Sequence, residues 1–79
     1  MAQAPVADRE LDARGLLCPM PIVKLARVVR EMAPSEVVLL HATDPGASPD
    51  VAAWSRSTGN PVLFEDRVDK VMRFWVQKA

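Results

Sequence analysis

The sequence predicts an α+β domain: a two-layer α/β sandwich in the order βαβαββ, its four-stranded mixed sheet carrying two helices on one face. Three observations carry this expectation. Apolar residues recur at helical spacing in two segments, and the last third of the chain alternates with a period of two. Between these patterns the chain is punctuated by seven prolines, Pro5, Pro19, Pro21, Pro34, Pro45, Pro49 and Pro61, most of them where two periodicities meet.

Arg9 to Ala13 reads as a short strand with Leu11 and Ala13 on one face, broken by Gly15. From Pro19 to Met32 the residues Ile22, Leu25, Ala26, Val29 and Met32 form a helical stripe. Lys24, Arg27 and Glu31 fall opposite it, with Arg27 and Glu31 spaced to pair. Pro34 ends that helix. Glu36 to Ala42 is nearly all apolar, as a central strand is. After the turn Thr43-Asp44-Pro45-Gly46, a second helix is expected with Ser48 as N-cap, Pro49 at the first helical position and Asp50 favourable to the dipole. Val51, Trp54, Ser55 and Thr58 make its buried stripe, and Gly59 closes it. Pro61 to Glu65 and Lys70 to Gln77 are the last strands, joined by a hairpin through Asp66–Asp69. Met72, Phe74 and Val76 alternate there with Val71, Arg73 and Trp75.

Two right-handed crossovers place both helices on the same sheet face. The strand at 36–42 nevertheless offers apolar side chains to both faces. The uncovered face is therefore either an apolar surface for contact with another protein or one covered by long side chains such as Arg73 and Trp75.

At 79 residues the chain has room for one domain, residues 9–79, preceded by a flexible segment at 1–8. Ten basic and ten acidic residues cancel. The molecule as a whole thus has no net charge to draw it to nucleic acid or an anionic membrane. No apolar run approaches the roughly 20 residues that span a bilayer, and Met1–Arg9 lacks the charged and apolar regions of a secretion signal. One cysteine cannot form an internal disulfide, so a cytoplasmic location is expected.

That cysteine, Cys18, stands in the run Gly15-Leu16-Leu17-Cys18-Pro19-Met20-Pro21. Pro19 and Pro21 suit the first turn of a helix, whose amides have no intrahelical partners, and so hold Cys18 at the N-cap or just before it. The helix dipole there is expected to favour the thiolate and to lower the thiol pKa from its free value near ~8.5, but only moderately, because the two prolines remove amide donors. Gly15 allows a tight turn. The plain alternative is a buried cysteine acting as a small hydrophobe, but a double-proline setting is an expensive way to fill space.

Other chemistry is thinly supplied. There is no Cys-Xaa-Xaa-Cys for a dithiol cycle. His41 is either a base for Cys18 or a strand residue facing the open side of the sheet. One cysteine and one histidine do not make a zinc site, and Gly15, Gly46 and Gly59 are isolated, so neither a metal nor a cofactor is expected. Arg14, Lys24 and Arg27, with Arg30 beyond, form either a basic docking stripe leading from Cys18 or a solvated face. Asp44 is either a functional loop residue at a strand end or a turn former. A thiol without base, acid or second thiol can still take the outer sulfur of a persulfide and pass it on.

From Leu11 to Lys78 the chain resembles the TusA/SirA-like family of small sulfur carriers. The resemblance lies in Leu11-Asp12-Ala13, the Cys-Pro-Met-Pro run, Thr43-Asp44-Pro45, and the second helix with Asp50, Trp54 and its Thr58-Gly59-Asn60 exit. It implies a Cys18 persulfide supported by Pro19 and Pro21, with Asp44 facing a partner. It also implies a donor such as a cysteine desulfurase or rhodanese-like protein, and delivery toward tRNA thiolation, cofactor assembly or, through DsrE-type acceptors, sulfur oxidation. Leu17 departs from the basic residue that often precedes the cysteine in members dedicated to tRNA thiolation. The competing expectation is a non-catalytic interaction module or a thiol-based redox regulator.

Overall fold

The structure is a computed structural model and describes residues 3–79. Its elements are β1 (Arg9–Ala13), α1 (Met20–Arg30), β2 (Val37–Ala42), α2 (Ala47–Thr58), β3 (Val62–Val68) and β4 (Val71–Gln77). The strands form one sheet in the order β1-β2-β4-β3, with β1 parallel to β2 and β4 antiparallel to both its neighbours. The α2 crossover carries the chain past the vacant position beside β2, and the hairpin return of β4 fills it. The expected architecture is the one found.

Both helices pack on the same face. Leu25 and Val29 of α1 and Ala47 and Val51 of α2 share a core with Ala13, Val38, Leu40, Ala42, Phe74 and Val76. β2 reads as a continuous apolar run because it is buried on both sides. Val38, Leu40 and Ala42 face the helices, while Val37 and Leu39 join Trp75 in a second cluster on the far face. Phe64 packs edge-on to Trp75 with ring centroids 5.3 Å apart. The Arg73 guanidinium lies 5.1 Å from the Trp75 ring and donates through Nε to Asp66 at 2.7 Å. Ala7 completes the cluster, and Asp8 is bonded to Val37 through both its amide and its carboxylate. Of the two expectations for this face, the covered one holds: Trp75 is only 5% exposed.

Four sequence expectations need correction. β3 runs on to Val68, leaving a tight Asp69-Lys70 turn in which Asp69 takes φ 55°. The charged stretch that resembled a loop is an edge strand, stabilised by the Asp66–Arg73 pair across to β4. α2 starts at Ala47, not at Pro49; its N-cap is Gly46, without a side-chain cap. Ala47 is buried, and its amide bonds to the Asp44 carbonyl, so the Asp44-Pro45-Gly46 turn leads directly into the helix. Thr58 is exposed and outside the stripe, its hydroxyl bonded to the Trp54 carbonyl. Arg27 does not pair with Glu31. The side chain of Arg9 reaches Glu31 instead, bonding its carbonyl.

At the exit of α2, Gly59 adopts φ 79° as the helix C-cap. Asn60 is buried, yet its carbonyl accepts from Ser55, its amide group donates to Thr58 and its Oδ1 accepts from the Ala79 amide. The end of the chain is thereby tied to the helix exit.

Candidate functional site

Because β1 and β2 are parallel, both end at the same edge of the sheet. The loops leaving them enter α1 and α2 from that edge, so the two helix N-termini lie side by side. Gly15, at φ 80° and with no atom near a would-be Cβ, is needed for its left-handed backbone and not for space. Its amide donates to Thr43 Oγ1 at 2.9 Å, and the Cys18 amide donates to Asp44 Oδ2 at 2.7 Å. These bonds tie the first loop to the second. Asp44 is a tether of the cysteine loop.

Cys18 is exposed, and its thiol is free. It stands just before α1, one of the two expected placements: Pro19 is the N-cap and not the first helical residue, and the bond between the two residues is cis. Pro21, in the first turn, is fully buried and anchors the helix start in the core. The thiol donates to Asp50 Oδ2 from the first turns of α2. Gly46 borders the cysteine, and a Cβ there would press most on Asp44 Oδ2, at 3.3 Å, while lying in ordinary contact with Cys18 Cβ at 3.5 Å and Sγ at 3.8 Å.

The expected activation of the thiol is reversed. The hydrogen bond to Asp50 and partial desolvation, followed by the charges of Asp50 and Asp44, push the Cys18 pKa above the ordinary thiol value. The start of α1 does not offset this, because its amides are absent or engaged elsewhere. Pro19 and Pro21 have none, Met20 donates to the Leu17 carbonyl, Ile22 to that of Pro19, and Cys18's own amide is on Asp44. Alkylation by iodoacetamide, which requires the thiolate, should therefore keep rising with pH beyond the ~8.5 midpoint of free cysteine. A midpoint at or below that value would contradict this geometry.

The remaining candidates lie apart. His41 is on the far face of the sheet, with Nε2 3.2 Å from Glu10 Oε1, and is no base for Cys18. Arg14 turns to Asp12, holding its carboxyl down at about 2, and so does not continue the line of Lys24 and Arg27, which are exposed on α1. Leu17, Met20 and Val23 are exposed apolar residues near the cysteine in sequence. Asp50, Gly46 and Thr43 were not legible as site residues. The signal for them was topological: parallel β1 and β2 must bring the two helix-entry loops together.

Residues 9–78 match the family described as Sulfurtransferase TusA. The chain is 42% identical over 73 residues to YrkI of Bacillus subtilis, covering 92% of this chain and 97% of that protein. It is 35% identical over 72 residues to the sulfur carrier protein TusA of Allochromatium vinosum, covering 91% and 95%. Among solved structures, the SirA-like protein of Desulfitobacterium hafniense aligns with a TM-score of 0.78 over 87% of this chain and 95% of that one. At 16% identity this last likeness is one of fold.

Proposed function

The chain belongs to the TusA family of sulfurtransferases, and on that premise we propose that it carries sulfur as a Cys18 persulfide between a donor and an acceptor protein. The observation that carries the proposal is an exposed, free thiol pinned where the two helix-entry loops meet. Such a thiol is open to a docked protein and has no second thiol of its own chain with which to form a disulfide.

In loading, the Cys18 sulfur attacks the outer sulfur of the donor persulfide. The Sγ–S bond forms, the donor's S–S bond breaks, and the donor sulfur leaves as a thiolate with the bonding pair. The proton lost by Cys18 neutralises that thiolate directly or through solvent. Delivery is the same exchange on an acceptor thiol, and no external oxidant or reductant is consumed. A cysteine desulfurase or rhodanese-like protein suits the donor role, and a DsrE-type or similar thiol protein the acceptor role. A carrier whose single thiol must remain reduced suits the cytoplasm.

Incubation with glutathione persulfide, followed by intact mass measurement, should show the gain of one sulfur atom. Prior blocking of Cys18 with iodoacetamide should prevent it. A chain that gains no sulfur from glutathione persulfide, nor from a cysteine desulfurase supplied with cysteine, is not a sulfur carrier.

A further inference from the structure

Resting on the sulfur-carrier reading, we infer that Asp50 governs how tightly the cargo is kept: its carboxylate, beside the Cys18 sulfur, slows surrender of the outer sulfur to thiols that have not docked. The thiol donates to Asp50 Oδ2, and the Cys18 amide donates to Asp44 Oδ2. Two carboxylates thus stand near the sulfur, and the Cys18 and Met20 amides beside it are spent on other acceptors. Among the described residues, no cationic side chain contacts either carboxylate: Arg14 is engaged by Asp12 and Arg73 by Asp66.

The consequence falls on the leaving group. When a thiolate attacks the outer sulfur of the Cys18 persulfide, a new S–S bond forms to the attacker and the Sγ–S bond breaks. Sγ departs with the electron pair as a thiolate and takes a proton from solvent afterwards. The charge therefore develops on the atom that faces Asp50. Thiols of higher pKa leave more slowly, and the same carboxylate repels an incoming anion. The raised thiol pKa of the unloaded protein points the same way. Asp50 touches the reacting atom, so it is a catalytic residue in the restraining sense, and it sets specificity between a bulk thiol and a docked acceptor. Asp44 adds to the field from further along, through charge alone.

The test compares wild type with Asp50→Asn, which preserves shape and removes charge, and with Asp50→Glu, which restores a carboxylate. Each is loaded with glutathione persulfide, freed of excess donor, exposed to glutathione at neutral pH, and sampled by intact mass. Asp50→Asn should lose its sulfur roughly fivefold faster, about the effect of one unit charge at ~4 Å in water, the medium around an exposed thiol. Asp50→Glu should fall back toward wild type, and the iodoacetamide pH profile of unloaded Asp50→Asn should move to lower pH. Equal rates in wild type and Asp50→Asn overturn the inference. Slower loss from Asp50→Asn overturns it too, since Asp50 would then be assisting departure. Failure of wild type to load at all sinks the carrier reading itself, while an unshifted alkylation profile in Asp50→Asn counts against the Asp50 coupling alone.

Discussion

Cys18→Ser should take sulfur gain from a persulfide donor down to the detection limit while leaving the fold at its wild-type stability. The two halves of this expectation rest on different observations. Cys18 is exposed and belongs to neither hydrophobic cluster, so its replacement opens no cavity. Its amide bond to Asp44 is made by the backbone and survives. A serine hydroxyl can donate to Asp50 as the thiol does, so the carboxylate keeps a partner. A surface change of this kind usually shifts stability by less than about 0.5 kcal/mol. Chemistry, by contrast, is removed entirely, because sulfur exchange needs a sulfur nucleophile and the chain has no other cysteine. Intact mass after exposure to glutathione persulfide, alongside a thermal melt, measures both halves. A serine variant that still gains sulfur would place the cargo elsewhere than at Cys18.

The site was legible in its chemistry and not in its electrostatics. Cys18, Pro19 and Pro21 are consecutive enough to announce a helix start, and Pro21 does anchor one. The run shows that the two prolines that fix the start also remove donors that would favour a thiolate; what it conceals is the carboxylate beside the sulfur. Asp50 lies 32 positions beyond Cys18 and meets it only because two parallel strands end together. A residue read locally as a helix-dipole partner is thereby also a neighbour of the sulfur. Asp44 is legible by its place at a strand end, but its bond to the Cys18 amide is a tertiary fact.

The fold was more legible, for a physical reason. Periodicity survives in the elements with one buried face, as in α1, and an unbroken apolar run marks a strand buried on both, as in β2. Edges were where the reading slipped. Asp66 and Arg67 sit in an edge strand, Asp66 paired with Arg73, and by composition such a charged stretch looks like a turn. Likewise Ser48 and Pro49 are suitable helix starters, but burial of Ala47 settles the boundary two residues earlier.

The face away from the helices supplies the largest expected loss of stability. Trp75→Ala should destabilise the protein by roughly 3–5 kcal/mol, the usual cost of truncating a buried aromatic residue. Trp75 lies on β4, between β2 and β3, paired in register with Leu39 and Phe64. Its removal therefore strips the centre of a cluster that includes Val37, Leu39, Phe64 and Ala7, and leaves Arg73 without the ring beside which it lies. A 79-residue domain has a total stability of about 4–12 kcal/mol, from ~0.05–0.15 kcal/mol per residue, so the loss is a large share of the whole. At ~4–8 °C per kcal/mol for a domain of this size, the melting temperature should fall on the order of 12–40 °C. Thermal and urea unfolding followed by circular dichroism would measure it. A docking surface would respond differently, because truncating an exposed anchor impairs partner binding and leaves the isolated fold near wild type. A Trp75→Ala variant within about 0.5 kcal/mol of wild type would thus return this face to the role of an interaction surface; the expected loss makes it a second core.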